Sequence, residues 1–190
     1  MTFFWILFAI ATVWLATLAW CDCRTRQLPN MLTLPPVLIL PLFYWITLWI
    51  KTDVWTGFRT GFLMSIAGAA IGGIFLLVPY LLRGAGAGDV KMLTACGALA
   101  GFPGVVMMLI FTSIAGLILG LVMIIWGKTD PARLKHALRC AFDPSYDRAQ
   151  GKAALPDKKN EKVRIPYGVA IAAGTWICLL VTAVQIQTAA

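Results

Sequence analysis

Thr60 to Leu82 reads TGFLMSIAGAAIGGIFLLVPYLL and runs directly into RGAGAGDVK at Arg83 to Lys91. The first stretch carries no charge and is long enough, as a helix, to cross the roughly 30 Å hydrocarbon core of a bilayer. The second breaks that helix with glycines and sets an aspartate at the start of the next apolar run. Working outward, Thr2 to Cys21, Met31 to Ile50, Gly104 to Trp126 and Pro166 to Ile186 are apolar runs of similar length. A sixth, Val90 to Phe102, is short, at about 20 Å of helix. Of 190 residues, 60% are hydrophobic and 13% charged, about half the charged fraction of a soluble domain. These features predict an all-α chain, a polytopic helical bundle forming one integral membrane domain over 1–190. The first run has no basic residue ahead of it and is long for a secretory signal, so it is expected to stay as a span.

Charge orients the bundle. With the N-terminus outside, fourteen of the sixteen Lys and Arg fall in inward-facing segments, and only Lys51 and Arg59 face out. That distribution requires Val90 to Phe102 to cross, giving about six transmembrane helices with both termini periplasmic. The stretch 127–165 is then a basic cytoplasmic loop holding ten of the basic residues. Within it, Asp130-Pro131 resembles a helix start, and Leu134, Leu138, Ala141 and Phe142 share a helical face. An amphipathic surface helix is expected near 131–142, lying on membrane lipid. The net charge of +8 is accounted for by anionic lipid and calls for no nucleic acid. Small residues four apart, at Gly68/Gly72, Gly97/Gly101 and Gly116/Gly120, are expected to bring helices close together. Pro35, Pro36 and Pro41 are expected to kink or break the second span.

Few residues can carry chemistry. Of eight acidic residues, Asp130, Asp143, Asp147, Asp157 and Glu161 fall in the basic loop, and Asp53 in a short outer loop. Asp22 and Asp89 remain, both at the inner membrane boundary, where an ionisable group is a functional candidate. Two facing carboxylates divide into an acid and a base, because like charges held close do not both ionise readily. Such a pair hydrolyses an amide without a nucleophilic side chain. Helix dipoles suggest Asp22, closing a helix, as acid and Asp89, opening one, as base. Plainer roles are a helix cap for Asp89, pairing with Arg24 or Arg26 for Asp22, membrane anchoring for Lys91 and helix capping for Asn30. No strand is expected before Gly84–Gly88, which argues against a phosphate loop. Cys21 with Cys23 does not have zinc-ligand spacing, so neither metal nor cofactor is expected. A thiol protease built on Cys21 and His136, an assembly scaffold and a proton-coupled transporter using the Asp pair are the alternatives.

Asp22-Cys23-Arg24-Thr25-Arg26-Gln27-Leu28-Pro29-Asn30 after the first span, Gly86-Ala87-Gly88-Asp89-Val90-Lys91 after the third, and Arg164-Ile165-Pro166-Tyr167-Gly168-Val169-Ala170 at the last together resemble the type IV prepilin peptidases, GxGD-type membrane aspartyl peptidases. The likeness is greatest to their short CpaA/TadV-like branch. It implies Asp22 and Asp89 as the catalytic pair, with Gly86, Gly88, Lys91, Arg26, Pro29 and Asn30 in support. It also implies prepilin or pseudopilin substrates, cleaved at the cytoplasmic face of a bacterial inner membrane. Longer relatives carry paired Cys-x-x-Cys motifs and also N-methylate the trimmed pilin. This chain has no such motif, so peptidase activity without N-methyltransferase activity is expected.

Overall fold

The computed structural model describes residues 2–25, 29–81, 86–125 and 167–188. Among these, the elements are all helical: α1 (Thr2–Thr25), α2 (Asn30–Lys51), α3 (Val54–Leu81), α4 (Ala87–Ala100), α5 (Gly104–Ile125) and α6 (Tyr167–Thr188). All but α4 contain a stretch long and apolar enough to cross a membrane. The chain is an all-helical, multi-pass membrane protein.

The short α4, the doubtful sixth run of the sequence, is the most enclosed helix. Met92, Leu93, Ala95, Cys96 and Ala98 are fully buried. A helix that is apolar all round belongs inside a bundle. Its small residues let α3 approach closely: Gly68 lies against the Gly97 carbonyl and Gly97 against the Gly68 carbonyl. A Cβ at Gly72 would stand 2.7 Å from the Leu93 carbonyl oxygen. Two of the three expected glycine pairs therefore belong to one seam. The third does not, because Gly116 faces the Tyr167 ring and Gly120 faces open space. The carbonyls orphaned at the end of α4 are taken up by its neighbours. Tyr44 donates to Leu99 O and Ser65 to Ala98 O, both at 2.8 Å. An unsatisfied carbonyl is costly in lipid, so these bonds fix the C-terminus of α4. Gly101, at φ 61°, then turns the chain, the Phe102–Pro103 bond is cis, and α5 begins.

Two expectations change. α2 runs unbroken through Pro35, Pro36 and Pro41. Pro36 cannot donate to Leu32 O, and the Trp14 indole of α1 donates to it instead at 2.9 Å. A partner from outside the helix thus restores a bond that proline removes. The third span begins at Val54, not Thr60, and passes through a π-helical segment, Gly57–Phe62. Gly57 and Gly61 press on the α2 backbone there. A Cβ on them would stand 2.8 Å from Trp49 N and 2.7 Å from Tyr44 O. The rings of Trp45, Phe58 and Phe62 pack over that contact. The loop between α2 and α3 reduces to Thr52 and Asp53, and Arg59 sits on the helix. Asp53 accepts from Trp55 N and Thr56 N at 3.1 Å. Its hydrogen bonds to Thr56 first of all hold its carboxyl below the usual range, so it is a helix cap.

Residues Met1–Gly116 and Pro166–Ala190 form one compact unit and Leu117–Ile165 another. Of the second unit only residues 117–125 are described, and they are the end of α5. The expected basic loop at 127–165 and its surface helix near 131–142 lie outside the described residues.

Candidate active site

On α1, Ala11, Leu15 and Leu18 form a stripe less than 5% exposed, at spacings of four and three. The next position of that stripe, four residues on, is Asp22, itself 7% exposed. A carboxylate therefore occupies a place where the helix otherwise buries Leu and Ala. Burial of that kind is expensive unless the group is engaged, and the aspartate does have an interaction partner. α1 continues to Thr25, so Asp22 stands inside its last turn rather than beyond it. Arg24 is exposed and, with Trp20 and Cys23, lines a shallow depression at this end of α1.

Asp89 is fixed by the glycines before it. Gly86 is the N-cap of α4, in extended conformation at φ −84° and ψ 147°. Its N–H donates to Asp89 Oδ2 at 3.2 Å. Asp89 is thus the third residue of the helix and closes back on the cap, rather than being the cap itself. A Cβ at Gly86 would stand 3.0 Å from that same oxygen. Gly88 is half-buried in the first turn.

The start of α6 packs against Asp22. Gly168 abuts Asp22: a Cβ built on it would be 2.7 Å from Oδ2, 2.9 Å from Cγ and 3.2 Å from Cβ. The neighbouring Tyr167 lies within electrostatic range of Asp89. Gly168 thus touches the Asp22 side chain, and the charge of Asp89 reaches its neighbour Tyr167. Asp22 also faces both a C-terminal helix end, its own, and an N-terminal one, that of α6. The dipole contrast used to separate acid from base no longer assigns the roles.

Among the supporting candidates, Lys91 and Asn30 come together, with Lys91 Nζ donating to Asn30 Oδ1 at 2.9 Å. This joins the first turn of α4 to the first residue of α2. Asn30 is not the cap of α2. Pro29 holds that position without a side-chain bond, and its carbonyl accepts from Leu32 N at 3.0 Å. Arg26 lies outside the described residues. Tyr167 and Gly168 lie in the third motif, where nothing local in the sequence marks them as site residues. Only a long-range contact reveals them, and the nearest signal in the sequence is a glycine in the first turn of an apolar span. Among the described residues, no group of His, Cys, Asp or Glu is placed to hold a metal ion.

A family model described as the Type IV leader peptidase family matches residues 9–121, a stretch that includes both Asp22 and Asp89. The chain is also 36% identical over 101 residues to the Vitamin B12 import system permease protein BtuC of Escherichia coli (strain K12 / DH10B), and equally to that of Shigella boydii serotype 18 (strain CDC 3083-94 / BS512). Those matches take in 51% of this chain and 28% of each permease. No solved structure matches the chain.

Proposed function

The chain belongs to the type IV leader peptidase family, and from that membership we propose that it is an aspartic endopeptidase in which Asp22 and Asp89 are the hydrolytic pair. The observation that carries this reading is the burial of Asp22 on an otherwise apolar stripe of α1, against Gly168 of α6. One carboxylate takes a proton from water as the water oxygen attacks the scissile carbonyl. The other gives a proton to the amide nitrogen as the C–N bond breaks, leaving a carboxylic acid and an amine. The substrates are prepilins or pseudopilins, trimmed of their leaders at the cytoplasmic face of a bacterial inner membrane. Methyl transfer is not included, since the chain lacks the Cys-x-x-Cys motifs that accompany it. Purified protein mixed with candidate prepilins, with products read by mass spectrometry, tests the reading. Cleavage at a single leader boundary supports it, and intact substrate under conditions where the protein stays folded overturns it.

Sidedness has its own check. The 127–165 segment is cytoplasmic in this reading, so a topology reporter fused after Lys158 should be active only in its cytoplasmic form. A periplasmic signal would reverse the placement of both aspartates.

The Lys91–Asn30 bond holds α4 against the start of α2 from an exposed position. An exposed hydrogen bond to a charged group contributes about 1 kcal/mol, or a factor of about five. Lys91→Ala and Asn30→Ala should each slow cleavage by about that factor, and the double variant should be no slower than either single one. Multiplying losses would show that the two residues act separately.

A second reading, membrane transport, draws on the likeness to the import permeases. That likeness spans little more than a quarter of their length, and apolar spans share composition whatever their task. Proton-coupled uptake into liposomes without peptide cleavage would favour transport.

A further inference from the structure

We propose that Gly168 is a positioning residue whose missing side chain sets where the Asp22 carboxylate stands. This inference rests on the reading of Asp22 and Asp89 as the hydrolytic pair.

Gly168 is buried in the first turn of α6. It faces the side chain of Asp22 over its whole length. A methyl group there would stand 2.7 Å from Oδ2, 2.9 Å from Cγ and 3.2 Å from Cβ. Carbon atoms pack at about 3.5–4.0 Å, so the aspartate has to yield. Rotation of its side chain can move Oδ2 and Cγ, but Cβ is fixed to the α1 backbone. The contact at Cβ is relieved only if α1 and α6 separate by several tenths of an ångström. Both helices are held there by buried side chains, Leu15 and Leu18 on α1 and Ala170, Ile171 and Ala172 on α6. The carboxylate moves more easily than the helices. The neighbouring residue, Tyr167, lies half-buried within electrostatic range of Asp89. In the reading of Asp22 and Asp89 as the hydrolytic pair, displacing Asp22 against this turn moves one member of the pair.

The consequence for catalysis is large for so small a change. A misplacement of about 1 Å in a reacting group costs about 100-fold in rate. Gly168→Ala is expected to lower kcat by about that factor and to leave KM within about threefold, because the leader itself does not bear on the change. Gly120→Ala is the control, since a Cβ there meets nothing within 4 Å, and it should cleave at the wild-type rate.

A second readout does not depend on cleavage. A membrane-soluble carbodiimide labels carboxyl groups, and peptide mass spectrometry gives the ratio of labelling at Asp22 to labelling at Asp89. Gly168→Ala should change this ratio by about threefold or more, and Gly120→Ala should not. A Gly168→Ala protein with the wild-type ratio and wild-type kcat overturns the positioning role, whatever Asp22→Asn does. If the wild-type protein cleaves no prepilin but the ratio still changes in Gly168→Ala, the contact stands and the peptidase reading fails. Should Gly168→Ala accumulate poorly, Gly168→Ser in membranes is labelled in the same way, and an unchanged ratio there overturns the role equally.

Discussion

Asp22→Asn and Asp89→Asn should each lower prepilin cleavage by about 10²–10⁴-fold, the range for loss of a positioned acid or base, while the protein accumulates in the membrane as before. The amide keeps the size of the carboxylate and removes its charge and its proton chemistry. At Asp22 the replacement fits the same pocket on the α1 stripe and against Gly168. It also lowers the desolvation cost of a buried ionisable group. At Asp89 the Gly86 N–H bond at 3.2 Å can still be made to the amide oxygen, so the start of α4 is kept. A loss of activity therefore reports chemistry rather than unfolding. The check is the cleavage rate of each variant alongside its level in solubilised membranes. Activity near wild type in either variant removes the dyad.

Gly97→Val should lower the thermal stability of the folded protein. Gly97 and Gly68 pack backbone against backbone, each against the carbonyl of the other. No rotamer of a neighbour can make room, because the atoms in the way belong to α3 itself. Three added carbons push α3 from α4, and overpacking of this kind costs about 1–3 kcal/mol or more. The shift also disturbs the Ser65 bond to Ala98 O and the contact of Phe102 N with Met64 O at 2.9 Å. In a bundle whose stability rests on helix packing rather than on a difference in polarity, that loss is large. Thermal stability in detergent, with Gly120→Ala as reference, provides the measurement. A wild-type melting curve for Gly97→Val would show that the seam does not hold α4.

Much of this architecture is legible in the sequence because lipid imposes a simple rule on it. Long runs without charge have to be helices with internally satisfied backbones, and α1, α2, α3, α5 and α6 appear where such runs lie. The short run that is α4 is ambiguous by length alone, and its burial inside the bundle comes from long-range packing against α3. That α2 is not broken at its prolines is not visible locally, because the Trp14 bond to Leu32 O comes from another helix. The start of α3 was misplaced because Lys51 and Arg59 look like loop residues, whereas Gly57 and Gly61 need a packed helix. Asp22 and Asp89 could be singled out by elimination among eight acidic residues. Gly168, which packs on Asp22, lies far along the chain from it and has no periodic signature. Asn30 was assigned as a cap from local chemistry, but the Lys91 ammonium, distant in sequence, holds its side chain instead.

The most direct test of the dyad uses one purified prepilin, the purified chain with its cysteines alkylated, and the Asp22→Asn, Asp89→Asn double variant in the same detergent. Intact-mass spectrometry follows the products. The expected result for the alkylated wild-type chain is two fragments from one bond, whose masses add up to the substrate plus one water, and none from the double variant. Loss of cleavage on alkylation, or the same fragments from the double variant, would contradict hydrolysis by Asp22 and Asp89.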